Sequence, residues 1–494
     1  MFDANRPPAA EGAEKTGHAE HASRAEPAAR GRPRAVIELR EAVALIVGVV
    51  VGAGIFKAPS MVAGLTGEAG WMFAAWALGG AISLAGALCY AELGTAYAHV
   101  GGDYHFLQRA YGRSVSFLFA WARFSVIATG SIALLGFVFG DYMNQLLPLG
   151  APGPACYGAA AIAVLSWLNI RSVKAGTRAQ AWLTALEVGG LLLIVAAALF
   201  LIGNGAAPPP DPLPASGPAA TALPVSFGMA MVFVLLTYGG WNEAAYLSAE
   251  LKNGRRDMAR ALVLSLSLIT ALYLLVTWAY WKGLGLEGMR RSDAIAADLV
   301  RNAFGSVGAN VMSLLIAIAA ITSINATIIV GARSSYAAGG DWPVLARLGV
   351  WDRSHGTPAN ALRVQCAAAL LLVLAGAWSG SGFKSMVEFT APVFWLFFLL
   401  SGVSLFVLRV REPHTARPFK VPLFPLLPLL FCAMCGYMLW ASLSYVYSQQ
   451  LGGFNAAWIG VAVLAIGAVL LWFLRRAEAS AALPIPPIPP GPPG

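Results

Sequence analysis

Apolar residues in this chain are gathered into long blocks. Residues 42–51, 71–90 and 191–202 contain no charged side chain. Apolar stretches of about 18 or more residues read as membrane-crossing helices, because a backbone in lipid must satisfy its own hydrogen bonds. Following the blocks predicts twelve spans, at about 41–64, 70–97, 114–146, 154–170, 179–202, 223–249, 260–282, 308–332, 361–379, 384–408, 421–447 and 456–474. They are numbered 1 to 12 below. The segments between them read as loops, most clearly 203–222, where PPPDPLPASGP supports neither helix nor strand.

Composition agrees with this pattern. Of 494 residues 58% are hydrophobic and only 12% charged, about half the charge of a soluble domain. A set of water-soluble domains is therefore excluded, as are collagen-like and disordered chains. Residues 1–38 lack the apolar core of a signal peptide and read as a disordered tail. Residues 476–494 end in a polyproline-like tail. The net charge of +9 has a topological origin. Lys57 and Arg123 lie within spans, and Lys282, Arg290, Arg291, Arg301 and Lys384 fall on one side. The other 26 of the 33 Lys and Arg fall on the side of the N-terminus. That asymmetry places both termini in the cytoplasm of a multi-pass cell-membrane protein, an inner membrane if bacterial, and leaves a nucleic-acid partner without support. The five cysteines lie in or beside apolar blocks, so no disulfide framework is expected; Cys432 and Cys435 form a CxxC that reads as packing.

Two spans carry glycine clusters near their middles: Gly48, Gly52 and Gly54 in span 1, with Pro59 after them, and Gly239-Gly240 in span 6. Glycine weakens a helix by about 1 kcal/mol and permits close backbone approach. Such residues also pack helices together, but here they sit at matching places in two halves of the chain. Interrupted helices so placed point to an inverted-repeat transporter with a midplane site. A broken helix exposes N–H groups that suit a carboxylate and carbonyls that suit an ammonium. Two such breaks side by side can hold a zwitterion by backbone alone.

The GAGIF run (52–56) with Pro59 resembles the first-helix signature of the amino acid–polyamine–organocation superfamily. CYAELGTAYAHVGGDYHFLQRAYG (89–112), WARFSVIATGSIALLGFVFGDY (121–142), TYGGWNEAAYLSAELKNGRRDMARAL (237–262) and ARSSYAAGGDWPVLARLG (332–349) are similar to further family stretches, in order. Span 6 most resembles the L-type amino acid transporter branch and its bacterial relatives. The resemblance implies an all-α membrane protein with a LeuT-type fold: first repeat 39–202, external loop 203–222, second repeat 223–408, and two added helices in 409–475. It implies that N–H groups around Gly52, Ala53, Gly54 and Ile55 receive the substrate carboxylate. Carbonyls near Val50, Leu236, Thr237 and Gly239 would receive the ammonium. Val126, Ile127 and Ser131 on span 3, with Asn242 and Glu243 on span 6, would line the side-chain pocket, and Ser323 and Asn325 match polar positions of span 8. The chain departs from the family at Ala98, where proline is frequent, and at Leu236, where an aromatic gate is usual. Animal L-type relatives join a heavy chain through a cysteine in the loop between spans 3 and 4. Cys156 lies too late for that, so no disulfide-linked heavy chain is expected.

Ionisable residues inside spans are costly and few. Arg123 and Glu187 lie at similar depths along spans 3 and 5, at 1.5 Å per residue, and are expected to pair. The pair is either structural or a coupling device in which the desolvated Glu187 carboxylate binds a proton; the family commonly has lysine at that position, a charge that Glu187 reverses and Arg123 would supply instead. Glu243 either recognises a cationic substrate or pairs with a neighbour such as Arg123. Lys57 is expected to snorkel or to meet a carboxylate, and Glu92 to be solvated or paired. No HExxH and no GxxxxGK[ST] occurs, so neither an intramembrane enzyme nor an ATP-driven pump is supported. No cofactor or metal is expected. The function expected is secondary transport of L-amino acids, neutral ones favoured, by exchange or symport. A cationic amino acid or polyamine carrier and a transport-inactive amino acid sensor are the alternatives.

Overall fold

The computed structural model describes residues 38–97, 102–171, 177–205, 223–244, 254–342, 345–352, 354–380, 382–448 and 456–481. The expected N-terminal tail, most of the loop 203–222 and the Pro-rich C-terminal stretch lie outside the described residues.

Ten helices among the described residues are long and apolar enough to cross a membrane: Ala69–Ala96, Arg113–Leu146, Gly153–Ile170, Ala185–Gly203, Asp257–Arg291, Ile295–Asp341, Ala359–Trp378, Gly382–Arg411, Leu426–Tyr445 and Trp458–Arg476. They coincide with predicted spans 2–5 and 7–12. Spans 1 and 6 are built instead from short pieces. Span 1 consists of Leu39–Val50, a tight turn Ala53–Phe56 and Ala58–Thr66. Span 6 consists of Leu223–Thr237 and Trp241–Ala244.

The helices facing outward carry bare apolar side chains. Leu192, Leu264, Leu371, Leu374 and Phe473 are each more than half exposed, a surface suited to lipid and not to water. Inside, small residues bring backbones together. A Cβ on Gly158 would lie 2.6 Å from the Gly136 carbonyl oxygen, so spans 3 and 4 touch through glycine in the manner of membrane helix pairs. Span 3 also packs on spans 8 and 10, which makes it the central pillar of the bundle.

The chain turns sharply at Gly285 (φ 68°) and Gly305 (φ 73°), left-handed values that favour glycine. Between these turns Met289, Ile295, Ala296, Leu299 and Val300 are buried. The stretch read as a loop from sequence is thus a packed cap between spans 7 and 8. At the opposite end of the bundle, the short helix Asp103–Tyr111 lies between spans 2 and 3. There Glu92 is fully buried. Its carboxylate accepts from the Arg409 guanidinium at 2.8 Å and from the Val421 N–H at 2.7 Å, with Arg417 at 3.6 Å. Glu92 therefore ties span 2 to the end of span 10 and to the segment that follows it.

Candidate functional site

The two breaks meet. In span 1, Val51 and Gly52 are extended between the helix Leu39–Val50 and the turn Ala53–Phe56. The N–H groups at the start of that turn lack intrahelical partners. In span 6, Gly240 has φ +104°, and a Cβ there would lie 2.8 Å from the Val49 carbonyl oxygen. A Cβ on Gly54 would sit 3.3 Å from Thr237 Oγ1. Glycine at these positions lets one interrupted backbone rest on the other.

A cavity of about 510 Å³ opens at this contact. Val50, Gly52, Ala53 and Gly54 line it from span 1, and Leu236, Thr237, Gly239 and Asn242 line it from span 6. Span 3 contributes Arg123, Ile127 and Ser131, a stripe at i, i+4 and i+8; Glu187 and Ser323 come from spans 5 and 8. Span 3 is locally widened here, because the Ala128 N–H reaches back five residues to the Arg123 carbonyl, a π-turn of the kind concentrated at functional sites.

Four sequence expectations are corrected. Ile55 is fully buried in the core and does not face the cavity. Val126 points away too, packing with Phe389, Val393 and Phe397, because it lies about 100° around the helix from Ile127. Asn325 accepts a 2.6 Å hydrogen bond from the Asn169 amide on span 4 and is not on the cavity wall. Arg123 and Glu187 both open onto the cavity but form no ion pair with each other. Equal depth did not bring them together, because span 5 packs against spans 7 and 8. Glu187, only 4% exposed, makes no ion pair among the described residues. The side chain of Glu243 lies outside the described residues.

Some wall residues were not legible in sequence. Thr390, Phe394 and Phe398 of span 10 line the cavity, although no glycine interrupts that helix, and Thr327 of span 8 joins them. Their only trace was a few hydroxyl and aromatic residues within apolar runs. Leu236 O accepts from the Gly239 N–H at 3.1 Å, so part of its capacity is used within the break.

The two ends of the cavity differ. Toward the loop between spans 2 and 3 the wall includes Gly48, Val49, Asp103 and Ser401. Asp103 is held by the Tyr90 hydroxyl at 2.6 Å and the Ser401 hydroxyl at 2.9 Å. Toward the loop between spans 7 and 8 the helices are closed on one another. Lys57 Nζ lies 2.8 Å from Asp141 Oδ2 on span 3 and donates to the Asp293 carbonyl at 2.6 Å. Ser60 donates to Ser292 O at 2.8 Å, and Tyr142 to Phe56 O at 2.6 Å. Lys57 meets a carboxylate and does not snorkel; it is 4% exposed.

A bundle of lipid-facing helices whose two interrupted members jointly wall a cavity is a membrane carrier of the inverted-repeat kind. Residues 37–471 match the amino acid permease family, and the chain belongs to it. Among curated relatives, the human b(0,+)-type amino acid transporter 1 is 29% identical over 82% of this chain and 81% of its own length. The serine/threonine exchanger SteT of Bacillus subtilis (strain 168) is 28% identical over 82% of this chain and 91% of its own. The human cystine/glutamate transporter is 29% identical, covering 82% and 80%. Among solved structures, MhsT in complex with L-phenylalanine superposes with a TM-score of 0.56 at 15% identity, over 84% of this chain and 100% of that one. That likeness establishes the shared LeuT-type fold.

Proposed function

We propose that the chain carries L-amino acids across the cell membrane by alternating access, as a permease or exchanger that favours neutral substrates. The observation that carries this reading is the single cavity onto which both helix breaks open. Backbone N–H groups of Gly52, Ala53 and Gly54 would take the carboxylate, and carbonyls of Val50, Thr237 and Gly239 the ammonium. Ile127, Ser131 and Asn242 would face the side chain. With the termini cytoplasmic, as the Lys and Arg distribution suggests, the cavity reaches toward the cytoplasm and the Lys57 cluster closes the outer end. The conformer then corresponds to the inward-facing half of the cycle. The curated relatives named above are amino acid carriers by name, which supports the substrate class.

A thermal-shift panel of the twenty L-amino acids and of polyamines on the purified protein tests the reading, since a ligand at 100-fold its Kd stabilises by about 2.7 kcal/mol. Counterflow in proteoliposomes then separates the classes. Stabilisation with counterflow is expected. Stabilisation by polyamines alone would overturn the amino acid assignment, and binding without counterflow would make the chain a sensor. Within this reading Glu187 is the site of a coupling proton, because it is a buried carboxylate at the cavity wall with no ion pair among the described residues. Glu187→Gln should then flatten the pH dependence of uptake. An unchanged pH profile would rule the assignment out.

A further inference from the structure

Span 12 lies outside the two repeats and packs on span 3. The Trp121 indole of span 3 donates to Val463 O at 2.8 Å, and a Cβ on Gly467 would lie 2.3 Å from that ring. The contact runs on toward the N-terminal side of the bundle, where Leu471 joins Phe117 and Trp342 in one apolar cluster. Beyond it, cations from both spans meet at one corner. Arg475 of span 12 donates to the hydroxyl of Ser114 at the start of span 3. The neighbouring Arg113 lays its guanidinium over the Trp342 ring, 5.0 Å from the centroid.

Arg113 and Arg475 are exposed, and neither forms an ion pair among the described residues. Other arginines on this side do: Arg109 pairs with Glu412 at 2.7 Å, and Arg409 with Glu92. The carboxylate beside Trp342, that of Asp341, accepts instead from the Tyr104 hydroxyl at 3.1 Å. Two guanidiniums brought to adjacent residues repel each other unless an anion lies between them. The surface leading to this corner is apolar. Ile466, Val469 and Phe473 are each more than half exposed, and they recur at i, i+3 and i+7 along span 12. The same stripe ends on Arg476, whose guanidinium lies over Trp472, 4.0 Å from the centroid. Tryptophan and arginine at the end of a lipid-facing stripe mark the headgroup level of a membrane.

We propose that the corner formed by Arg113, Ser114, Arg475 and Arg476 holds the headgroup of an acidic phospholipid. Its phosphate lies among the guanidiniums, which suit phosphate oxygens in pairs, and its acyl chains lie along the exposed face of span 12. The lipid staples span 12 to span 3, the pillar of the bundle. A general excess of cations on one side of a membrane asks only for charge spread over loops. Here cations of two spans converge without a carboxylate, at the end of an apolar stripe. The proposal goes beyond the transport reading and is independent of what the cavity carries.

The test titrates purified, delipidated protein in a non-ionic detergent with dioleoylphosphatidylglycerol. A parallel titration uses dioleoylphosphatidylcholine, which has the same chains and phosphate but no net charge. Bound lipid is counted by native mass spectrometry, and stabilisation is read by thermal shift. Wild type should bind the glycerol lipid in preference to the choline lipid. In the combined variant Arg113→Gln with Arg475→Gln that preference should fall at least ~10-fold, at roughly 5-fold for each arginine. Arg347→Gln with Arg363→Gln removes the same charge from the segment between spans 8 and 9, and should keep the preference within about 2-fold. Should the first pair not fold, Arg475→Gln alone is expected to show the loss of about 5-fold. A wild type without the preference, or equal losses in the two combined variants, would overturn the proposal. So would inorganic phosphate that stabilises the wild type as well as the lipid does, since the corner would then be a site for a free anion.

Discussion

Replacing Lys57 by methionine should open the end of the cavity that the cluster closes. The ammonium is 4% exposed, 2.8 Å from Asp141 Oδ2 and 2.6 Å from the Asp293 carbonyl. Removing one partner of a buried ion pair costs about 3–5 kcal/mol, most of it the stranded charge. Asp141 retains some solvent access at 14%, and Asp293 is 89% exposed, so the cost here is lower, about 2 kcal/mol. The penalty falls on the closed arrangement alone, because in the opened one both charges meet water. Two kcal/mol corresponds to a shift of roughly 30-fold between the two states. Asp141→Asn should act more weakly, since Lys57 keeps the Asp293 carbonyl and its carboxylate at 3.8 Å. In a background without the five native cysteines, Ser131→Cys places a thiol on the cavity wall. An impermeant maleimide added from outside should label it at least ~10-fold faster with Lys57→Met, and less so with Asp141→Asn. The combined variant should return toward the parent rate, because a neutral pair leaves no stranded charge. Labelling unchanged by Lys57→Met would refute the latch, as would a combined variant that labels faster than either single one.

Three further substitutions probe the site and its frame. Gly240→Ala forces a φ of +104° on a residue with a Cβ, 2.8 Å from the Val49 carbonyl; about 1–3 kcal/mol of strain should reduce uptake strongly while expression persists. Ser131→Phe, pointing into the cavity, should abolish the amino acid thermal shift with little change in the melting temperature of the unliganded protein. Glu92→Gln removes the charge that Arg409 and Arg417 share in the buried end of span 2, and should lower stability by about 3 kcal/mol, seen as an earlier melt. Unaltered melting of that variant would show the pairing to be energetically neutral.

The parts of this site that were legible in sequence are those made by backbone. Glycine inside an apolar block has few reasons to be there, so Gly52, Gly54, Gly239 and Gly240 announced both breaks, and the family resemblance then pointed to Val50, Thr237 and Asn242 beside them. Side-chain partners were less legible, because hydropathy gives a residue's depth and periodicity gives its face, but neither names the neighbour across the gap. Asn325 has the polarity of a cavity residue, yet it is spent on Asn169, far away in sequence. Tyr273 reads as one more buried aromatic until the ends of spans 1 and 6 are seen to converge on its hydroxyl. Lys57 could have met several carboxylates, and the packing of spans 1 and 3 selects Asp141.

Arg123 and Glu187 show the same limit with a consequence for mechanism. Depth alone suggested a pair, but the packing of span 5 on spans 7 and 8 kept them apart. A paired carboxylate, such as Glu92, has its charge met by the two arginines beside it. Glu187 has no such partner among the described residues and faces a cavity that fills and empties during transport. In the proposed coupling role a proton bound there would displace no cation, which a salt bridge to Arg123 would have required. The failed expectation of a pair thus favours the coupling role over the structural one, and Glu187→Gln separates the two by the pH profile of uptake.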